Sequence, residues 1–163
     1  MNTQKERGNW QAKWKIEKFA SEEAKRKGEV FEVKEFAPNL LVNGGINALF
    51  TLLAGGGGTG FDNANSYIGV GDSNTAESAS QTDLQASTNK LRKGMNSGYP
   101  TYGTNQKMVF QADFGSSDAN YDWNEFAVFN ASTGGTMLNR KVSSQGTKAS
   151  GQTWTLTLEI TLS

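Results

Sequence analysis

The sequence predicts a mainly β protein: an antiparallel β-sandwich or partly open barrel carrying one packed α-helix and an extended N-terminal arm. The C-terminal segment is the first reason. Trp154, Leu156, Leu158, Ile160 and Leu162 alternate with Thr153, Thr155, Thr157, Glu159 and Thr161, the period of a half-buried antiparallel strand. The second is that Gln106–Phe114 and Tyr121–Phe129 are strand-like too, and the loops between such segments are rich in Gly, Ser and Asn. Repeated short strands with turn-forming connections lead to a sandwich or barrel. The third is that only one long stretch, within 43–54, carries helical spacing.

Taken in order, residues 1–8 are polar and read as disordered or dependent on a partner. Trp10, Trp14, Ile16 and Phe19 then place apolar bulk in a Lys-rich setting, with Trp14 and Ile16 at strand spacing. Ser21–Gly28 predicts one or two helical turns. Ser21 is the N-cap, Glu22 and Glu23 come first, Lys25, Arg26 and Lys27 last, and Gly28 ends it, matching the helix dipole at both ends. Glu29–Phe36 follows as a second strand, closed by Pro38. Two readings of this hairpin stand side by side: an edge hairpin with a solvated tip, or an arm reaching onto a neighbouring subunit. In the long helix Asn43 is the expected cap, Ile46, Leu49, Phe50 and Leu53 the apolar face, and the Gly55–Gly58 run the stop. Ser66–Gly71 is a short strand whose glycines allow close approach. Gln106–Phe114 alternates Met108, Phe110, Ala112 and Phe114. Tyr121–Phe129 changes facing near Glu125, where a bulge is expected. The resulting division is an arm and hairpin over 1–38 and a β-rich body over 39–163.

Composition narrows the chemistry. At 163 residues the chain suits one domain with a core of its own. It has no Cys and no His, which excludes disulfides, Cys/His zinc sites and His general bases. No apolar run is long enough to cross a bilayer, and Met1–Gly8 lacks the apolar stretch of a secretory signal, so a soluble protein is expected. Net charge is zero, yet 9 of 16 Lys/Arg and 7 of 16 Asp/Glu precede residue 37. Mixed signs in that arm make a poor phosphate-binding patch, so nucleic acid is not an expected partner.

The motifs point away from catalysis. Gly55–Gly60 follows a helix and lacks the Gly-Lys-Ser/Thr of a phosphate loop. Ser87-Thr88-Asn89-Lys90 has Ser-x-x-Lys spacing without either companion motif of the penicillin-recognising enzymes. Asp62–Asn65 and Ser117–Asn120 read as turns, not as calcium loops. Asp122 and Glu125 are the best carboxylate pair, but three positions apart on a strand they face opposite ways. An ion pair between Glu125 and Arg140, linking neighbouring strands, is the structural reading of those residues. Exposed Tyr99, Tyr102 or Trp123 could serve a carbohydrate-binding module. No cofactor or metal is expected, and no enzymatic activity.

Four stretches carry a resemblance: Asn39–Leu49, Tyr67–Ala76 running on to Leu84, Trp123–Ala131 with Gly134–Arg140, and the alternating C-terminal strand. In these the chain resembles structural proteins of tailed bacteriophages. With the Gly8-Asn9-Trp10-Gln11 start added, it looks like the head decoration proteins of some siphophages. The resemblance implies a non-enzymatic virion protein on the outer surface of the capsid. It implies trimers at three-fold positions that bind the major capsid protein and stabilise the expanded head. A tail, fibre-base or baseplate protein is the alternative. On this reading Trp10, Trp14, Ile16 and Phe19 of the arm and Asp72, Ser73, Asn74 and Thr75 of the acidic loop are the candidate assembly contacts. Two tryptophans per subunit, at roughly 2–3 kcal/mol each, suffice to hold a trimer; alternatively both pack on their own domain.

Overall fold

Two five-stranded antiparallel sheets face each other in the computed structural model, which describes residues 8–163. The expectation for residues 1–7 lies outside the described residues. The elements in order are β1 (Trp10–Phe19), α1 (Glu22–Arg26), β2 (Val30–Phe36), β3 (Leu40–Leu41), α2 (Asn43–Leu53) and β4 (Tyr67–Gly71). Then come β5 (Lys90–Gly94), β6 (Thr101–Thr104), β7 (Lys107–Phe114), β8 (Glu125–Phe129), β9 (Met137–Val142) and β10 (Thr153–Leu162). The first sheet runs β2-β1-β10-β7-β6 and the second β3-β9-β8-β4-β5. The predicted sandwich is the architecture observed.

The core lies between the sheets. From the first come Trp14, Ile16, Phe110, Phe114, Trp154, Leu156 and Leu158, and from the second Ile68, Val70, Phe126 and Val128, all fully buried. Trp123 fills the end of this layer, edge-on to Phe114 and Trp154 at 4.8 Å each, with its indole N–H donated to the Ala119 carbonyl at 2.9 Å. Such aromatic pairs add to the area they bury.

From Trp10 onward the N-terminal segment is part of the sandwich. β1 lies inside the first sheet, paired with β10 along its whole length from Trp10↔Leu162 to Phe19↔Thr153. Trp14, Ile16 and Phe19 are buried in the core of their own chain. Among the described residues this is the arrangement in which the tryptophans pack on their own domain, the alternative to a subunit swap. β10 presents an apolar face that needs a matching strand on each side, and β1 supplies one of them. Residues 10–38 and 39–163 therefore share one core. Lys18, also pointing inward, ends on the Glu32 carboxylate (2.5 Å), the Gln145 carbonyl (2.7 Å) and the Trp154 ring (4.2 Å).

α1 is built as predicted. Ser21 Oγ accepts from the Ala24 N–H (3.1 Å), and Gly28 adopts φ +72°. Its tip, however, is folded back and not solvated alone: Glu22 accepts from Thr153 Oγ1 (2.8 Å) and Lys25 pairs with Asp113.

α2 differs from expectation at its cap and its face. Asn43 is its first residue; Val42 is the N-cap and offers no side-chain bond, and the Asn43 N–H donates instead to the Ala79 carbonyl at 2.8 Å. The packed stripe is Gly45, Ala48, Leu49 and Leu52, while Phe50 and Leu53 are 67% and 83% exposed. Gly45 decides this, because it lies directly on the Leu138 carbonyl of β9, closer than any Cβ could come. Among the described residues no helix is long and apolar enough to cross a membrane.

Candidate functional site

The outer face of the second sheet is the most elaborately built part of the molecule. β8 has both faces covered: Phe126 and Val128 point into the core, and Glu125, Ala127 and Phe129 point outward beneath the 72–89 segment. A strand buried on both sides must satisfy any charge it carries. Glu125 is that charge, and its side chain is 0% exposed.

Arg140 answers it from β9. In the register Ala127↔Arg140 the guanidinium lies diagonally across from Glu125. Its Nε and Nη2 donate to Glu125 Oε2 at 3.0 and 2.7 Å, and its own side chain is 0% exposed. The remaining Glu125 capacity is taken by the covering segment, with the Gln85 N–H on Oε2 (2.9 Å) and the Ala86 N–H on Oε1 (2.8 Å). Arg140 Nη1 reaches the opposite limb of the same segment, donating to the Thr75 carbonyl (2.9 Å) and to Gln81 Oε1 (3.0 Å). The predicted Glu125–Arg140 pair is thus present, but as the buried clamp of a loop and not as an exposed strand link.

Glycines make room for it. A Cβ on Gly71 would collide with Glu125 Oε1, and one on Gly69 would lie 2.7 Å from the Phe129 ring. The close approach expected of this strand therefore serves side chains from β8. Beside the pair, Leu84, Ala127, Phe129, Met137 and Val42 form a small apolar cluster. Arg92 caps it from β5, stacked 3.4 Å over Phe129 and donating to the Ala131 and Gly134 carbonyls (2.9 and 2.8 Å) and to Asp83 (2.9 Å). Burial pushes the Asp83 carboxyl up, but the Arg92 bond and the Leu84 N–H outweigh it and hold it below its ordinary value.

The four acidic-loop residues belong to this clamp. Asp72 accepts from Asn89 (2.7 Å) and its carbonyl from Asn124 (3.0 Å); Ser73 Oγ takes the Thr75 N–H (3.1 Å). Asn74 and Thr75 are exposed, on a backbone that Arg140 holds from below. They stand apart from Trp14, Ile16 and Phe19, which are interior. Trp10 is half-buried and forms part of a second feature.

That feature is an apolar groove of about 550 Å³ at one end of the sandwich, lined by Trp10, Leu49, Leu52, Met108, Ile160 and Leu162. Phe50 and Leu53 project from the helix that forms one wall, and Tyr102, paired with Met108, stands exposed at another.

The remaining candidates resolve into structure. Asp122 is bonded to Thr147 at the surface while Glu125 is sealed in the clamp, so the two carboxylates do not converge. Trp123 is wholly interior and inaccessible to a sugar. Asp62 accepts from Asn65 within its own turn (2.9 Å), and Asp118 takes Lys93 (2.6 Å) and the Gly115 N–H (2.9 Å). Arg92 carries no signal in the sequence, since β5 (Lys-Leu-Arg-Lys-Gly) has no alternation to announce it.

No protein-family model matches the chain, and no curated protein matches it.

Proposed function

We propose that this chain is a non-enzymatic structural subunit of a tailed-phage particle, decorating the outer surface of the capsid. The observation that carries the reading is where the resembling segments go. Tyr67–Leu84, Trp123–Ala131 and Gly134–Arg140 meet in one place, the clamp of Glu125 and Arg140 on the outer face of β8. Their polar groups are spent on holding a surface loop in fixed shape, which is the requirement of a contact surface and not of a reacting centre. The loop presents Asn74 and Thr75 outward, and on this reading it is the face that meets the major capsid protein.

The apolar end supplies the second contact. Phe50 and Leu53 form a projecting ridge and the adjoining groove is its counterpart, two different surfaces on one chain. A ridge of one copy entering the groove of the next is a heterologous contact, and a rotation of one third of a turn between copies closes it into a trimer. The trimer thereby rests on α2 and the groove, in place of the interior tryptophan Trp14.

The deciding experiment is quantitative mass spectrometry of purified virions, giving the copy number of this chain relative to the major capsid protein. Trimers tiling local three-folds lead to roughly one copy per capsid subunit. A handful per particle would move the protein to the tail, and absence from virions would end the structural reading.

A further inference from the structure

We infer that the free edge of β2 is a self-recognition strand that joins two copies of this chain about a two-fold axis, making one continuous sheet from two. Among the described residues β2 is the outermost strand of its sheet, with β1 on one side only. It carries exposed Phe31 (53%) and Val33 (47%) on its outward face. A long edge strand of this kind is a template for pairing. Charged residues ordinarily blunt such an edge, and β2 has Glu32, Lys34 and Glu35. Here their order decides the partner.

A two-fold perpendicular to the sheet keeps outward residues outward, so only registers centred on a residue are allowed. Centred on Glu32, the pairing would set Glu32 against its own copy and Glu29 against Glu35. Centred on Lys34, it would set two lysines face to face. Centred on Val33, it sets Glu32 opposite Lys34 twice over, Val33 opposite Val33, and Phe31 opposite Glu35. Opposite charges directly across strands stabilise and like charges destabilise, so the third register is selected. Glu32 already holds Lys18 at 2.5 Å and Lys34 lies 3.4 Å from the Gln145 carbonyl, so the cross-strand pairs add to contacts these side chains make within their own chain. Glu32 and Lys34 are 38% and 39% exposed, and within one chain they approach only to 3.5 Å. Val33 and Phe31 of both copies then close into one apolar stripe. This pairing uses none of the residues of the α2 groove and stands independently of the proposed role in the phage particle.

The chain has no cysteine, so the register is read directly by Val33→Cys. Opposed positions in an antiparallel pair bring Cβ atoms to about 4.5–5.5 Å, within reach of a disulfide after small adjustment. Mild oxidation of the full chain is expected to give a covalent dimer from Val33→Cys and at least tenfold less from Phe31→Cys. Equal cross-linking of the two, or none in either, overturns the proposal. Lys34→Glu is expected to halve the mass seen by sedimentation, and the further change Glu32→Lys in the same chain to restore it. Because Glu32 also binds Lys18, circular dichroism accompanies each variant. A folded Lys34→Glu protein whose mass equals that of the unaltered chain likewise overturns the pairing.

Discussion

Glu125 and Arg140 meet 2.7 Å apart on adjacent strands with both side chains fully out of solvent, and between them they hold both limbs of the 72–89 segment. A surface ion pair is worth about 0–1 kcal/mol; this one is different because neither charge has water to fall back on. Removing one partner strands the other.

Arg140→Ala is therefore expected to destabilise the fold by about 3–5 kcal/mol, the usual cost of an uncompensated buried charge. Urea unfolding measures it. Replacing both residues with leucine removes the stranded charge but leaves the Gln85 and Ala86 N–H groups without acceptors. The double variant should recover part of the loss, and limited proteolysis should cut it within 72–89.

Two adjacent glycines in α2 should respond in opposite directions. Gly45→Ala drives a methyl into the Leu138 carbonyl and should cost about 1–3 kcal/mol as the helix lifts from β9. At Gly44 the new methyl would rest 3.8 Å from Thr136, an ordinary van der Waals separation. There the reduced freedom of the unfolded chain should add about 0.5 kcal/mol. Paired urea titrations settle both signs.

Acid sensitivity should trace in part to Asp113. Burial pushes its carboxyl up, but the bonds from Lys25 and Thr155 outweigh it and hold the group below its ordinary value of 3.8. A carboxyl depressed in the folded state leaves the unfolded chain to take the proton first. Its stabilisation is complete above about pH 4 and is lost as pH falls through the lower folded value. Asp118, where burial is outweighed by Lys93, acts in the same direction. Unfolding midpoints followed downward from neutral pH should fall in this range, and Asp113→Asn should flatten the fall while lowering the plateau.

The exposed pair on α2 should be separable from folding. Phe50→Ser with Leu53→Ser removes apolar surface that packs on little, so stability should stay within about 0.5 kcal/mol of the parent. Light scattering should show that the ring no longer forms, while any mass due to β2 pairing is retained. An unchanged assembly would take the trimer away from this end.

Local structure is legible in the order of the residues. Alternation from Thr153 to Leu162 is β10; Ser21, the acid-to-base order and Gly28 are α1; the glycines of β4 announced close packing and delivered it. Periodicity states which residues share a face, because that follows from backbone geometry alone. It does not state whether that face is covered, since cover arrives from residues far along the chain. So the tertiary structure alone decided that β1 is interior, because β10 lies beside it. It decided that α2 packs through Gly45 and Leu49 and not through Phe50, because the Leu138 carbonyl admits only a glycine. And it turned Glu125 and Arg140 from a strand link into a buried clamp, because a segment forty to sixty-five residues away folds over them.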